Sequence, residues 1–271
     1  MKRILSLILL LACLAMLFSC ELHVVTDGTK PATTEASSVT TETNSTTAKA
    51  TTATTAATTA ATTAITPVTE TVYVTIVNKG TVVLTLAEVE ATDLDEDGKI
   101  NLYETLKAAH ATCPNGGTDG FAAVNDPQYG LSMTKLWGEE NGGSFGYYQN
   151  DASSWALTDE VHTGDRIVAF SYVDTTYWSD TFCYFDQQIK TVNANETVTL
   201  KLNTIQYDPK TFAPTPAPIE GAKIIVNGIE TAYTTDAEGN VTLTLASGVN
   251  VISATSTTLT LVPPIAKITV Q

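Results

Sequence analysis

The sequence predicts an α+β domain followed by a small all-β sandwich, both carried behind a long Thr-rich N-terminal stretch. Three observations predict it. Short runs rich in β-branched and aromatic residues, punctuated by Gly, Asn and Pro, recur from residue 71 to the C-terminus. Around residues 101–111 the apolar positions switch to helical spacing. Residues 29–69 are mainly Thr, Ala and Ser and have no apolar stripe of either period.

Taken in order, Lys2 and Arg3 precede an apolar stretch from Ile4 to Leu17, so residues 1–19 read as an export signal. The run is too short to span a bilayer comfortably, and Glu21 follows it closely. Leu17-Phe18-Ser19-Cys20 resembles the lipobox of bacterial lipoproteins, where a small residue precedes a cysteine that is lipidated and becomes the mature N-terminus. The resemblance implies lipidation of Cys20 and a chain anchored to the bacterial cell membrane, facing outward. The alternative is ordinary signal cleavage beside an incidental cysteine. Residues 20–70 then form a disordered spacer, whose repetitive part would average on the order of 35 Å end to end as a coil.

In residues 71–206 the runs Val72–Val77 and Val82–Leu86 flank Asn78-Lys79-Gly80, a hairpin pattern. Leu102, Leu106 and Ala109 predict a short helix that stops before Cys113-Pro114-Asn115-Gly116-Gly117. Residues 112–145 are Gly-rich and read as an irregular insertion, after which residues 146–148, 166–172 and 196–202 read as strands. Pro209, Pro214, Pro216 and Pro218 mark residues 207–218 as a stiff linker. Residues 219–271 alternate apolar and polar positions around turns at Asn227-Gly228 and Glu238-Gly239-Asn240, the pattern of a small β-sandwich. At 53 residues it is close to the size limit for independent folding and is expected to pack on its neighbour.

Charge narrows the function classes. Removing residues 1–19 takes away both Lys2 and Arg3 and no acidic residue, so the 14 basic side chains fall to 12 against 29 acidic, a formal charge of −17. Such a surface repels polyanions and excludes nucleic acid as a partner, while leaving carboxylates free to hold divalent cations. Of the four cysteines, Cys13 lies in the signal and Cys20 is the lipid candidate; Cys113 and Cys183 remain, either as one disulfide or as two separate buried thiols.

The strongest motif runs from Asp93 to Glu104 and satisfies every specified position of the EF-hand calcium loop. Asp93, Asp95 and Asp97 supply side-chain oxygens and Lys99 its carbonyl. Asn101 binds directly or through water, Glu104 closes the shell with both carboxylate oxygens, and Gly98 permits the sharp turn. The expected cofactor is Ca²⁺. A strand precedes the loop and no second loop follows, which points to a structural site and not a sensor. The loop also resembles half of a dockerin, whose partner repeat is missing here.

A second constellation is aromatic: 14 of the 20 Trp, Tyr and Phe residues fall between Phe121 and Phe185. Rings with polar neighbours bind sugars or flat cofactors, and the candidate ligand-binding residues are Trp137, Tyr147, Trp155, Tyr177, Trp178 and Asp180. The competing reading is an aromatic core. Catalytic patterns fit less well. Gly142-Gly143-Ser144-Phe145-Gly146 matches the nucleophile-elbow pattern without its strand and helix context, and His110 near Cys113 sits at a helix end, where a favourable dipole contact is the simpler role. The chain is read as not an enzyme.

The stretches Leu131–Gly138, Gly143–Tyr148 and Asn150–Trp155, with Asp174-Thr175 and Trp178-Ser179-Asp180, resemble the transcobalamin C-terminal-like domains of unknown function on surface proteins of Gram-positive anaerobes. Residues 219–271, with Leu261-Val262-Pro263-Pro264 near their end, resemble the small β-sandwich that often accompanies them. The resemblance implies a β-grasp-like fold for residues 71–206. It also implies a corrinoid-type role, for which the helical barrel that completes such a site is missing. The expected function is a calcium-stabilised binding or adhesion module for an extracellular ligand (glycan, protein or cofactor), with a structural spacer as the runner-up.

Overall fold

The computed structural model describes residues 67–112 and 116–271. The export signal, Cys20, the Thr-rich spacer up to residue 66, and Cys113 lie outside the described residues.

Val72, Val74 and Ile76 point inward at alternate positions, as do Leu84 and Leu86 across the turn, so the two runs pair as the antiparallel hairpin β1 (Thr69–Asn78) and β2 (Thr81–Thr92). Lys79 and Gly80 both have positive φ, the requirement of a two-residue hairpin turn of this hand. The register shifts near Thr75, whose buried hydroxyl oxygen accepts the Leu86 amide at 3.2 Å, leaving that donor satisfied. An acidic loop then leads to helix α1 (Leu102–Thr112), which buries Leu102, Leu106 and Ala109 against the sheet.

The insertion contains a hairpin, β3 (Ala122–Asp126) with β4 (Gly130–Lys135), and is more regular than its glycines imply. After it come β5 (Phe145–Gln149), β6 (Ala152–Ser153) and β7 (Arg166–Ser171). The first sheet has the order β2-β1-β7-β5-β6, with β1 and β7 parallel and the other neighbours antiparallel. β7 reads as a continuous apolar run because both of its faces are covered: Ile167 and Ala169 join the core under α1, while Val168 and Phe170 face a second sheet.

The remaining strands are β8 (Thr181–Phe185), β9 (Ile189–Val192), β10 (Thr197–Tyr207), β11 (Pro214–Pro218), β12 (Lys223–Val226), β13 (Ile229–Thr234), β14 (Asn240–Thr244), β15 (Gly248–Thr255), β16 (Leu261–Val262) and β17 (Ala266–Val270). They form one sheet of order β11-β10-β8-β16, with β14 also on β10, and another of order β13-β12-β15-β17-β9. Phe185, Leu200, Leu202, Ile224, Leu243, Ile252 and Ile268 share the core of this sandwich. Strands β8, β9 and β10, which the sequence assigns to the first domain, therefore bond to C-terminal strands: β16 lies parallel to β8, β17 parallel to β9, and β14 antiparallel to β10. The C-terminal 53 residues complete their core with strands from the preceding region.

The proline-rich segment is likewise an edge strand and not a free linker. Ile219 N donates to Leu202 O at 3.0 Å, and pairs such as Ile205 with Pro216 and Tyr207 with Pro214 continue the ladder. By the alternation of an antiparallel pair, the amides turned away from β10 belong to positions 214, 216 and 218, and all three are proline. An edge that offers carbonyl acceptors but no outward donors is a poor template for another strand.

A third cluster joins the first sheet to the second, with Val77, Phe170, Phe182 and Val262 at its centre. There the rings of Tyr148 and Phe182 stack with centroids 3.6 Å apart and planes 6° from parallel. Burial pushes the Tyr148 phenol up to about 12. Asp151 clamps the joint, accepting from Arg166 Nη2 at 3.0 Å and from Gln188 Nε2 at 2.6 Å. The described residues make one compact, mostly β unit with a single α-helix among them.

Candidate functional site

The acidic loop is shaped by its own carboxylates. Asp93 accepts the amides of Glu96 (2.7 Å) and Gly98 (2.8 Å), and Asp97 accepts that of Lys99 (2.8 Å). Gly98, at φ 87°, makes the turn that a Cβ would resist. The structure brings Asp93, Asp95 and Asp97 together, with ligand oxygens within 4.8 Å of one another. Glu104 is not part of that cluster. It is buried, with Oε1 accepting from Leu94 N at 2.6 Å and Oε2 from Asn101 N at 3.1 Å.

Asn101 and Glu104 also form a reciprocal helix cap, since Asn101 Oδ1 accepts the Glu104 amide at 3.0 Å. Ile100 is buried in the core, and its carbonyl accepts from Val161 N at 2.8 Å. Asn101 and Glu160 form an isolated antiparallel bridge, and Leu102 N donates to Asp159 O at 3.1 Å, so residues 159–161 brace the end of the loop. The Lys99 side chain turns outward to Glu160 at 2.9 Å, which holds the amine above and the carboxyl below their ordinary ranges and leaves the Lys99 carbonyl as its only ligand atom.

The aromatic candidates separate into two groups. Trp137 is structural: its ring covers Gly116 so closely that a Cβ there would lie 2.5 Å from it, and its amide donates to His110 Nε2 at 3.0 Å. Tyr147 packs half-buried on the core under α1. Asp180 turns back on its own loop, accepting from Val173 N at 2.7 Å and Asp174 N at 2.9 Å. By contrast Trp155 is 86% exposed, Tyr177 81% and Trp178 58%.

Sequence reasoning missed Tyr207 and Phe212, which lie outside the aromatic-rich stretch. Phe212 is 75% exposed, and both residues line a groove of about 400 Å³ with Trp155 and Tyr184. One signal was present. Asp208-Pro209 repeats the Asp126-Pro127 dipeptide of the β3-β4 turn, which marks a second hairpin of the same build.

His110 differs from its expected role at the helix end. It is fully buried, with Nδ1 2.7 Å from Leu106 O and Nε2 accepting from Trp137, a pattern that fits only the neutral ring. Desolvation, partly opposed by the Leu106 hydrogen bond, holds its pKa below the ordinary value. The unfolded chain therefore takes up the proton first as pH falls through about 6.5, and stability is lost on the acid side. Wild type is expected to lose more Tm between pH 7 and pH 5 than His110→Gln, measured by calorimetry in matched buffers; equal losses would remove His110 as the cause.

Ser144 follows a short 3-10 turn (Asn141–Gly143) and opens a strand, so no helix presents its hydroxyl. Cys183 is buried and has no disulfide partner among the described residues; its Sγ lies 3.3 Å from Val262 O, and burial pushes its pKa up. Its expected partner, Cys113, is outside the described residues.

No family model matches the chain, and no curated protein matches it. Among solved structures it is similar to the Bacteroides ovatus mixed-linkage glucan utilization locus SGBP-B in complex with a mixed-linkage heptasaccharide, at 13% identity and TM-score 0.21, covering 56% of this chain. The chain spans 36% of that structure's length. It is also similar to the N-terminal Ig1-2 module of the Drosophila receptor protein tyrosine phosphatase DLAR (13% identity, TM-score 0.24, 76% of this chain and 98% of that one). The teleost fish polymeric Ig receptor ectodomain is a third (12%, 0.19, 56% and 72%).

Proposed function

We propose that the chain is a non-catalytic surface module that binds an extracellular ligand, stabilised by one calcium ion and displayed through a lipid on Cys20 and the spacer of residues 20–70. The observation that carries the binding role is the exposure of Trp155 and Trp178: a spacer has reason to bury its tryptophans, and here two of the three stand in solvent on loops. For calcium, the support is the convergence of three aspartates around a glycine turn, with the expected twelfth ligand at the start of the exiting helix. Asp93, Asp95, Asp97, the Lys99 carbonyl, Asn101 and Glu104 would hold the ion, whose part is to neutralise the loop and tie β2 to α1.

No helix among the described residues is long and apolar enough to cross a membrane. The test of the binding role is adhesion of beads coated with the mature chain to immobilised polysaccharides and extracellular matrix proteins. Trp155→Ala with Trp178→Ala is expected to abolish specific adhesion while leaving Tm unchanged, because neither ring is core. Equal adhesion by wild type and variant would leave the spacer reading in its place.

A further inference from the structure

Three loops of this protein share one construction. In each, an aspartate oxygen accepts the amides two and three residues ahead: Asp126 from Gln128 and Tyr129, Asp174 from Thr176 and Tyr177, and Asp208 from Lys210 and Thr211. In each, the fourth residue on is left-handed: Gly130 at φ 74°, Trp178 at 53° and Phe212 at 56°. Glycine takes that conformation freely, whereas a side-chain-bearing residue is strained in it. Two of the three loops hold an aromatic residue where the fold itself would be better served by glycine. Neither ring contributes to a core, since both are largely exposed.

The two strained aromatics are also neighbours in topology. The pairing of Cys183 with Thr204 sets the start of β8 and the end of β10 at one end of the sheet, so the loop carrying Trp178 and the hairpin carrying Phe212 emerge there together. The groove opens at this end, between the β10-β11 hairpin and the segment after β5. Its rings are Trp155, Tyr184, Tyr207 and Phe212, with Pro214 and Pro216.

The chemistry of the groove selects its ligand. Among the described residues its one carboxylate, Asp151, has both oxygens engaged by Arg166 and Gln188 and no basic side chain lines it, so it offers no free charge to an ionic ligand. Strand addition by an extended peptide is disfavoured at β11, whose outward positions are all proline and donate no hydrogen bond. What remains is a shallow groove lined by aromatic rings with hydroxyls at Ser153, Tyr184 and Tyr207, a combination that suits the apolar faces and hydroxyl rims of neutral sugars.

We infer that the groove lined by Trp155, Tyr207 and Phe212 binds a neutral polysaccharide chain, with Trp178 on the adjacent loop extending the platform. The inference rests on the binding role proposed above and names its site and ligand class. The test is affinity electrophoresis of the full mature chain through gels containing neutral linear polysaccharides of gluco-, manno-, xylo- and galacto-configuration, with polygalacturonate as the charged control. At least one neutral polymer is expected to retard wild type. Trp155→Ala and Phe212→Gly should each weaken that binding by about tenfold, the effect of losing a good aromatic contact. Phe212→Gly and Trp178→Gly should keep Tm unchanged or raise it by up to ~3 °C, because they relieve a left-handed backbone.

Retardation that both groove variants leave intact would overturn the site. Absence of retardation by any neutral polymer, or binding of a proline-rich peptide instead, would overturn the ligand class. A clear fall in Tm for both glycine variants would make the rings structural and overturn the inference. Bead adhesion to matrix proteins that depends on Trp178 but not on Phe212 would leave the proposed binding role standing without this groove.

Discussion

Adding calcium to the mature chain is expected to raise its Tm by about 5–10 °C. At a hundredfold excess over Kd, a single site stabilises the folded state by ~2.7 kcal/mol, and each kcal/mol moves Tm by roughly 2–4 °C at this domain size. The gain should be large because the loop holds three aspartates within 4.8 Å of one another, while the Lys99 amine is paired outward with Glu160. Two variants separate the ion from the loop's own hydrogen bonds. Among the described residues Asp95 makes one long hydrogen bond, from the Asp97 amide at 3.3 Å, so Asp95→Ala should leave the calcium-free Tm nearly unchanged and remove most of the calcium response. Glu104→Gln should remove the response and also lower the calcium-free Tm, because Glu104 caps α1 and anchors Leu94, and a lost cap costs roughly 1 kcal/mol. Calorimetric titration should give one ion per chain. A wild type whose Tm ignores millimolar calcium would reduce the segment to an acidic turn held by hydrogen bonds.

What was legible in the sequence was local. The β1-β2 hairpin, the start of α1 and the acidic loop follow from neighbours in the chain: a turn with two positive-φ residues, a cap three residues apart, a glycine where φ is 87°. The grouping of strands into sheets was not legible. β9 pairs with β17 and β8 with β16, parallel contacts between segments about eighty residues apart, with no turn between them to announce the pairing. The prolines of β11 pointed to a linker because proline is rare in sheets, yet an edge strand with its imides facing outward tolerates it.

The aromatic stretch was ambiguous for a related reason. Composition cannot distinguish Trp137, which covers Gly116, from Trp155, which stands in solvent, because exposure depends on which strands meet. Phe212 carries no signal in composition; its distinction lies in the backbone, which repeats the loop of Asp126–Gly130 with a ring in the glycine's place.

Gly239→Ala is expected to destabilise the protein by about 2–5 kcal/mol, the second large effect. Two terms add. Gly239 has φ 80°, where a Cβ is opposed by the local backbone at roughly 1–2 kcal/mol. A Cβ there would also lie 2.5 Å from the Leu202 carbonyl oxygen, and overpacking of that kind costs typically ~1–3 kcal/mol. The carbonyl cannot retreat cheaply. Leu202 is a central residue of β10, its amide donates to Gly239 O at 2.8 Å, and its oxygen accepts the Ile219 amide that holds β11 in place. The turn before β14 is thus pressed onto the strand that carries the groove. Gly248→Ala is the control: its φ is 99° but no atom lies within 4 Å of the added carbon, so it should show the conformational term alone. Urea unfolding of the two variants, both with calcium present, measures the difference. A Gly239→Ala midpoint no lower than that of Gly248→Ala would mean that β10 and β14 are less rigidly joined than the ladder from Thr197 to Lys201 implies.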